Sequence, residues 1–219
     1  METIEIEKNQ GKRILTEEYL CTISLGAEVF KRLFDIVLSA LGCLLGIPFY
    51  LCIWVAVKLE DGGSVFFKQE RIGYHGKPFM IYKFRSMRQV AEEDGIPQLC
   101  HEDDSRLTKV GKFIRQHHLD ELPQLWNILK GDMSFVGPRP ERKYFIEQIS
   151  AINPDYFLLY QLRPGVFSDA TLYNGYTDTM EKMLRRLNMD LDYLKHRSFW
   201  MDMKIIFKTV FFILSGKKF

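Results

Sequence analysis

The stretch HHLDELPQLW, residues 117–126, sets two carboxylates side by side, Asp120 and Glu121, ahead of a proline and an aromatic-aliphatic run. One reading is purely local. Asp120 is a good helix N-cap, Glu121 suits a first turn, and Pro123 is tolerated there because early N–H groups lack partners. The other reading is chemical. A carboxylate at a helix start stays ionised in the field of the helix dipole, and the same terminus suits a phosphate group. Basic residues surround the pair in sequence: Arg115, Arg139 between the prolines of GPRP, Lys83, Arg85 and Arg88 in YKFRSMR, and Arg163 in LRPG. Guanidinium forks match phosphate oxygens bidentately, so several of these could grip a polyphosphate. Each arginine alone also reads as a solvated surface charge. Arg139 is the exception, because its two prolines hold it in a stiff loop. An ionised carboxylate among phosphate-binding groups could attack phosphorus and form an acyl phosphate. Magnesium, held by Asp120 and Glu121, would neutralise charge as the leaving phosphate departs. Adjacent helical residues point about 100° apart, so the two need not share one role.

These groups need elements to carry them. The segment LFDIVLSALGCLLGIPFYLCIWVAV, residues 33–57, has Asp35 as its only charge. From Ile36 onward it offers about 22 residues, roughly 33 Å of helix, enough for a bilayer core. A buried core helix is the alternative. Pro48 falls mid-run and predicts a kink. Lys31 and Arg32 precede the run and Lys58 follows it, which fits a helix that bends back to one face as well as one that spans. The C-terminal FWMDMKIIFKTVFFILSGKKF repeats apolar residues at helical spacing, with lysines interspersed. It reads either as a helix lying in the headgroup region or as one docked on the core.

The rest divides into a polar lead-in (1–30), the membrane-inserted segment (31–58) and a catalytic domain (59–219) ending in the amphipathic helix. VFFKQERIGYHGKPFMIYKFRSM predicts a β-hairpin turning around YHGKP. Residues 89–105 are acidic and polar, a candidate lid. Helices are expected over 110–115, 121–129, 141–152, 179–195 and 199–214, with 130–140 a tight connection. The fold class is α+β, mainly helical: a small mixed domain hung from a re-entrant membrane helix and interfacial helices. Hydrophobic residues at 47 % and charged residues at 26 % exclude wholesale disorder, and a net charge of +2 gives no case for nucleic acid. The four cysteines show no C-x-x-C or Cys/His spacing, which argues for a reducing compartment without metal or disulfide framework.

KRLFDIVLSALG…P, FFKQERIGYHGKPFMIYKFRSM, LDELPQLWNILKGDMSFVGPRP and RPG together resemble the bacterial sugar transferases of the monotopic polyprenyl-phosphate phosphoglycosyltransferase superfamily, in their short form. The similarity runs from about Lys31 to the C-terminus. It implies magnesium-dependent, ping-pong transfer of a sugar-1-phosphate from a UDP-sugar to a polyprenyl phosphate such as undecaprenyl phosphate. Such a step starts capsule, exopolysaccharide or O-antigen assembly at the cytoplasmic face of the bacterial inner membrane. The resemblance implies Asp120 as nucleophile, Glu121 as its partner, Arg139 and Arg115 on phosphates, and Pro48 as the break of a re-entrant helix. It leaves a homodimer open. Two departures stand out: Ile47 replaces the serine often found before the proline, and RPGVFSDATLYNGYTD differs from the usual I-T-G-W/L-A…N-G-R-N. Two other readings are a membrane-associated glycosyltransferase releasing UDP and a catalytically inactive, membrane-anchored assembly factor.

Overall fold

The computed structural model describes residues 24–88, 98–99, 104–175 and 177–215. Most of the lead-in, nearly all of the expected lid, Tyr176 and the terminal lysines lie outside the described residues. The apolar run forms two helices, α1 (Leu25–Leu45) and α2 (Ile47–Asp61), bent by 59°. The break therefore falls at Gly46 and not inside a helix at Pro48. Pro48 opens α2, where its missing N–H costs nothing. Gly46 is required at the bend, since a Cβ there would sit 2.6 Å from the Gly42 carbonyl oxygen. No single described helix is long and apolar enough to cross a membrane, although the bent pair passes that test together. The pair leaves Leu44, Leu45, Phe49, Leu51 and Leu59 exposed.

β1 (Phe66–Ile72) and β2 (Pro78–Phe84) form the expected antiparallel hairpin. α3 (Lys109–Gln116) follows, capped by the Thr108 hydroxyl, which accepts from Gly111 N at 2.9 Å. A 3-10 turn, Leu119–Glu121, leads into α4 (Gln124–Lys130). The expected connection 130–140 contains a strand, β3 (Ser134–Val136), paired in parallel with β4 (Gly165–Phe167). α5 (Lys143–Ile152) and a 3-10 stretch, Pro154–Gln161, lie between these strands. α6 (Asp169–Asn174), α7 (Met180–His196) and α8 (Phe199–Leu214) complete the chain. β3, β4 and α6 are too short to leave a periodic signature. At the β3–β4 crossing the backbones touch: a Cβ on Gly165 would lie 2.1 Å from Gly137 N, so the GPRP and RPG loops pack directly.

Ile128, Met133, Ile149, Met183, Leu187 and Ile205 centre the main core, and Val57, Phe84 and Ile114 anchor a second cluster under α2. α8 is docked on the core along one face and exposes apolar residues along the other. It docks through Asp202, Ile205 and Thr209, while Trp200, Phe207 and Phe211 stay 79 %, 72 % and 64 % exposed.

Candidate active site

Three segments converge on one cleft. Lys83 near the end of β2 and Arg85 just past it, Asp120 and Glu121 in the 3-10 turn, and Arg139 in the loop after β3 all line it. His118 starts the turn with φ +55°, a left-handed backbone that redirects the chain after α3. Asp120 is consequently not the N-cap of α4. Pro123 occupies that position without a side-chain bond, and Asp120 sits inside the tight turn.

The two carboxylates are held differently. Glu121 Oε1 accepts from Lys83 Nζ and from Arg139 Nη2, both at 2.6 Å. Burial pushes its carboxyl up, but Arg139 and Lys83 overcome this and hold it well below the usual range. Asp120 is buried, and no hydrogen bond among the described residues reaches its carboxylate. Burial pushes it up to about 6, with Lys83, Arg115 and Arg139 pulling it down and Glu121 pushing it up. The expected helix-dipole stabilisation is thus outweighed by desolvation, and the neighbouring cations keep the group titrating below neutrality.

The cleft encloses about 580 Å³, and among the described residues ten Lys and Arg side chains line it against three carboxylates, a balance that suits a polyanion. Lys83, Arg85, Arg115 and Arg139 all line it with Asp120 and Glu121. Arg85 is only 7 % exposed and pairs with Asp61, yet its Nε and Nη1 are buried with no hydrogen-bond acceptor among the described residues. Orphaned guanidinium donors in a cavity wall are what an incoming phosphate would satisfy. Arg163 is not brought here. It stacks on the Tyr74 ring at 4.8 Å, donates from Nε to Gly131 O at 3.1 Å and lines a separate small cavity beside α1.

Sequence reasoning missed a second cluster in the cleft wall. Glu141 accepts from Arg71 Nη1 at 3.1 Å and from Arg186 Nη2 at 2.8 Å. Burial pushes its carboxyl up, but Arg186 and Arg71, with bonds from Arg186 and Arg142 N, bring it to about 2. The signal was available in α7, where Arg186 interrupts the buried stripe of Met183, Leu187 and Leu194. An apolar wall was missed too: Phe66, half-exposed, stacks on buried Phe84 at 5.4 Å, with Phe67 beside it.

Among the described residues no three His, Cys, Asp or Glu side chains form a metal-holding group. Asp120 and Glu121 could still supply the one or two carboxylates that magnesium takes when phosphates complete its shell. The donor set fits a substrate-bridged ion and not an all-protein site.

A model of the family described as bacterial sugar transferase matches residues 26–216. The chain is 45 % identical over 185 residues to the UDP-glucose:undecaprenyl-phosphate glucose-1-phosphate transferase of Escherichia coli, covering 84 % of this chain and 40 % of that relative. It is 41 % identical over 186 residues to the UDP-N-acetylgalactosamine-undecaprenyl-phosphate N-acetylgalactosaminephosphotransferase of Aeromonas hydrophila, covering 85 % and 44 %. A relative from Caulobacter vibrioides with the same name as the E. coli protein is 42 % identical over 190 residues, covering 85 % of this chain and 70 % of that one. The chain thus spans about two fifths of the first two relatives, which are named for different sugars at similar identity.

Proposed function

This chain belongs to the bacterial sugar transferase family, and on that premise we propose that it transfers a sugar-1-phosphate from a UDP-sugar to a polyprenyl phosphate such as undecaprenyl phosphate. The observation that carries the reading is Asp120: a carboxylate without a hydrogen bond at the wall of a strongly basic cleft. In the first step a carboxylate oxygen of Asp120 attacks the sugar-bearing phosphorus. The bond from that phosphorus to the bridging oxygen breaks, and UMP leaves with the electron pair. In the second step a phosphate oxygen of the polyprenyl acceptor attacks the same phosphorus and Asp120 departs as carboxylate. Two displacements replace one harder transfer. Glu121, fixed by Lys83 and Arg139, keeps both cations aimed at the phosphates, and Arg115 and Arg85 supply further donors. Magnesium, held by Asp120 and Glu121, would offset charge on the diphosphate.

The acceptor is lipid-borne, and the bent α1–α2 pair enters the bacterial cytoplasmic membrane and returns to the cytoplasmic face. Its exposed apolar surface supports this, as does the outward aromatic face of α8, which lies in the headgroup region. α2 ends five residues before Phe66, so the apolar wall of the cleft begins where the hairpin leaves the membrane. That wall suits the first isoprene units of the acceptor.

Incubating the full chain with UDP-sugars, magnesium and undecaprenyl phosphate should release UMP. Release of UDP would instead indicate transfer of the sugar alone. Full activity in Asp120→Asn would rule out the aspartyl intermediate.

A further inference from the structure

Outside the cleft, the start of α1 concentrates charge on a helix that is otherwise apolar. Asp35 is buried, Lys31 and Arg32 are partly buried, and all three reach α4, β3 or α8. Arg32 donates from Nη1 to Ile128 O at 2.7 Å and from Nη2 to Leu129 O at 3.0 Å. Asp35, 2 % exposed, accepts from Phe135 N at 3.2 Å. Lys31 donates to Val136 O at 3.1 Å and to Asp202 Oδ2 at 2.5 Å, and Asp202 also accepts from the Tyr193 hydroxyl at 2.6 Å.

The partners fall in two places. Ile128 and Leu129 are in the last turn of α4, whose C-terminal carbonyls lack helical partners and attract cations. Phe135 and Val136 are in β3. α4 begins three residues after Glu121, and β3 ends three residues before Arg139. The root of α1 therefore grips the back of both segments that present the site. α4 is a rod of about 10 Å between this grip and the catalytic turn. Higher up, Gly42 of α1 lies so close to Leu125 of α4 that a Cβ would meet Cδ1 at 2.8 Å.

We propose that Lys31, Arg32 and Asp35 are positioning residues that set the membrane hairpin at a fixed height and angle relative to Asp120, so that a lipid-borne acceptor meets the nucleophile in register. The proposal rests on the reading of α1–α2 as membrane-inserted and of the acceptor as a polyprenyl phosphate. A soluble donor does not depend on that register, whereas an acceptor confined to the bilayer does. Removing the grip separates the two half-reactions.

The test uses the full chain in lipid nanodiscs. Arg32→Met keeps the apolar stem and removes both bonds to α4. Single-turnover UMP release without acceptor should stay within about threefold of the parent, while transfer to undecaprenyl phosphate in the nanodisc falls at least about tenfold. A short, water-soluble prenyl phosphate should restore transfer to within about threefold. Equal loss in both half-reactions, or no loss in membrane transfer, overturns the proposal. If Arg32→Met does not fold, Lys31→Met, which leaves Arg32 and Asp35 in place, is read by the same criteria. Spin labels at Cys52 in α2 and at a cysteine replacing Glu147 in α5 give a readout independent of activity. A narrow distance distribution should broaden in Arg32→Met, and an unchanged one overturns the clamp. Absence of UMP from the parent chain would sink the proposed reaction, and the label distances would still decide the clamp.

Discussion

Two charged clusters in this molecule are built from the same residue types and behave in opposite ways. At the root of α1, Lys31, Arg32 and Asp35 are each engaged by backbone or by an ion-pair partner, all at hydrogen-bond distance. Among the described residues of the cleft, cations outnumber carboxylates, Arg85 has two buried donors without acceptors, and Asp120 has no hydrogen bond. Satisfied buried charge gives geometry. Charge held buried and incomplete gives a site that a ligand completes. The Glu141 cluster stands between the two: it lines the cleft, yet its carboxylate is fully engaged by Arg71 and Arg186.

The sharpest way to break this contrast is Asp120→Asn. UMP release should fall about a thousandfold or more, roughly 4 kcal/mol of transition-state stabilisation. The melting temperature should hold or rise, because no hydrogen bond is lost and an amide need not be desolvated as an ion. A clear loss of stability with activity retained would mean that the Asp120 carboxylate belongs with the satisfied charges.

Glu141→Gln tests the intermediate cluster. It leaves Arg71 and Arg186 buried against a neutral amide and should cost about 3 kcal/mol or more in urea unfolding. The pH dependence has a definite sign. The folded carboxyl lies at about 2 against an ordinary 4.5, so its stabilisation is complete above pH 4.5 and is lost as pH falls from 4.5 through 2. That limb amounts to on the order of 3 kcal/mol, from about 1.4 kcal/mol per unit. Gln at 141 should remove it, and an identical acid limb in both proteins would show that other carboxylates carry it.

Arg139→Lys keeps the charge beside Glu121 and removes the planar fork. A fall of about tenfold in kcat/KM with the UDP-sugar is expected, near 1.4 kcal/mol. Activity within twofold would mean that Arg139 acts as a point charge and that the flanking prolines serve only the loop.

How much of this could be read from residue order follows the same division. The turn holding Asp120 and Glu121 stood out because its two carboxylates are consecutive, and Arg139 because prolines on both sides are a local signal. The hairpin was legible through its alternation and its Gly-containing turn. The cap assignment of Asp120 failed because an acidic pair before proline looks alike in an α-helix start and a 3-10 turn. What separates them is the left-handed backbone of His118, which residue type does not dictate. The Glu141 cluster was illegible as a unit. It gathers residues 71, 141 and 186 from β1, the loop before α5 and α7, joined by a single bridge between Ile72 and Glu141 that leaves no pattern in the sequence. Arg163 was drawn into the phosphate set by its neighbours in sequence, although its guanidinium goes to Gly131 O and the Tyr74 ring.

Arg163 therefore gives the smallest and most discriminating effect. By residue type and motif it looks like Arg139. By partners it belongs with Arg32: both donate to carbonyls at the C-terminal end of α4, Arg163 reaching Gly131 O beyond the two that Arg32 takes. Gly131 stands there with φ +93°, ending the helix, so Arg163 ties off the end of α4 opposite to Asp120. Arg163→Gln should leave kcat/KM within about threefold while lowering stability by about 1–2 kcal/mol through one hydrogen bond and one cation–π contact. That corresponds to a melting shift of about 2–8 °C for a chain of this size. A tenfold loss of activity with unchanged melting would place Arg163 among the phosphate ligands and erase the line between engaged and available charge at this end of α4. The expected result, stability lost and chemistry kept, would show that two arginines in equally conspicuous proline motifs do different work because one faces a carboxylate in the cleft and the other a helix end behind it.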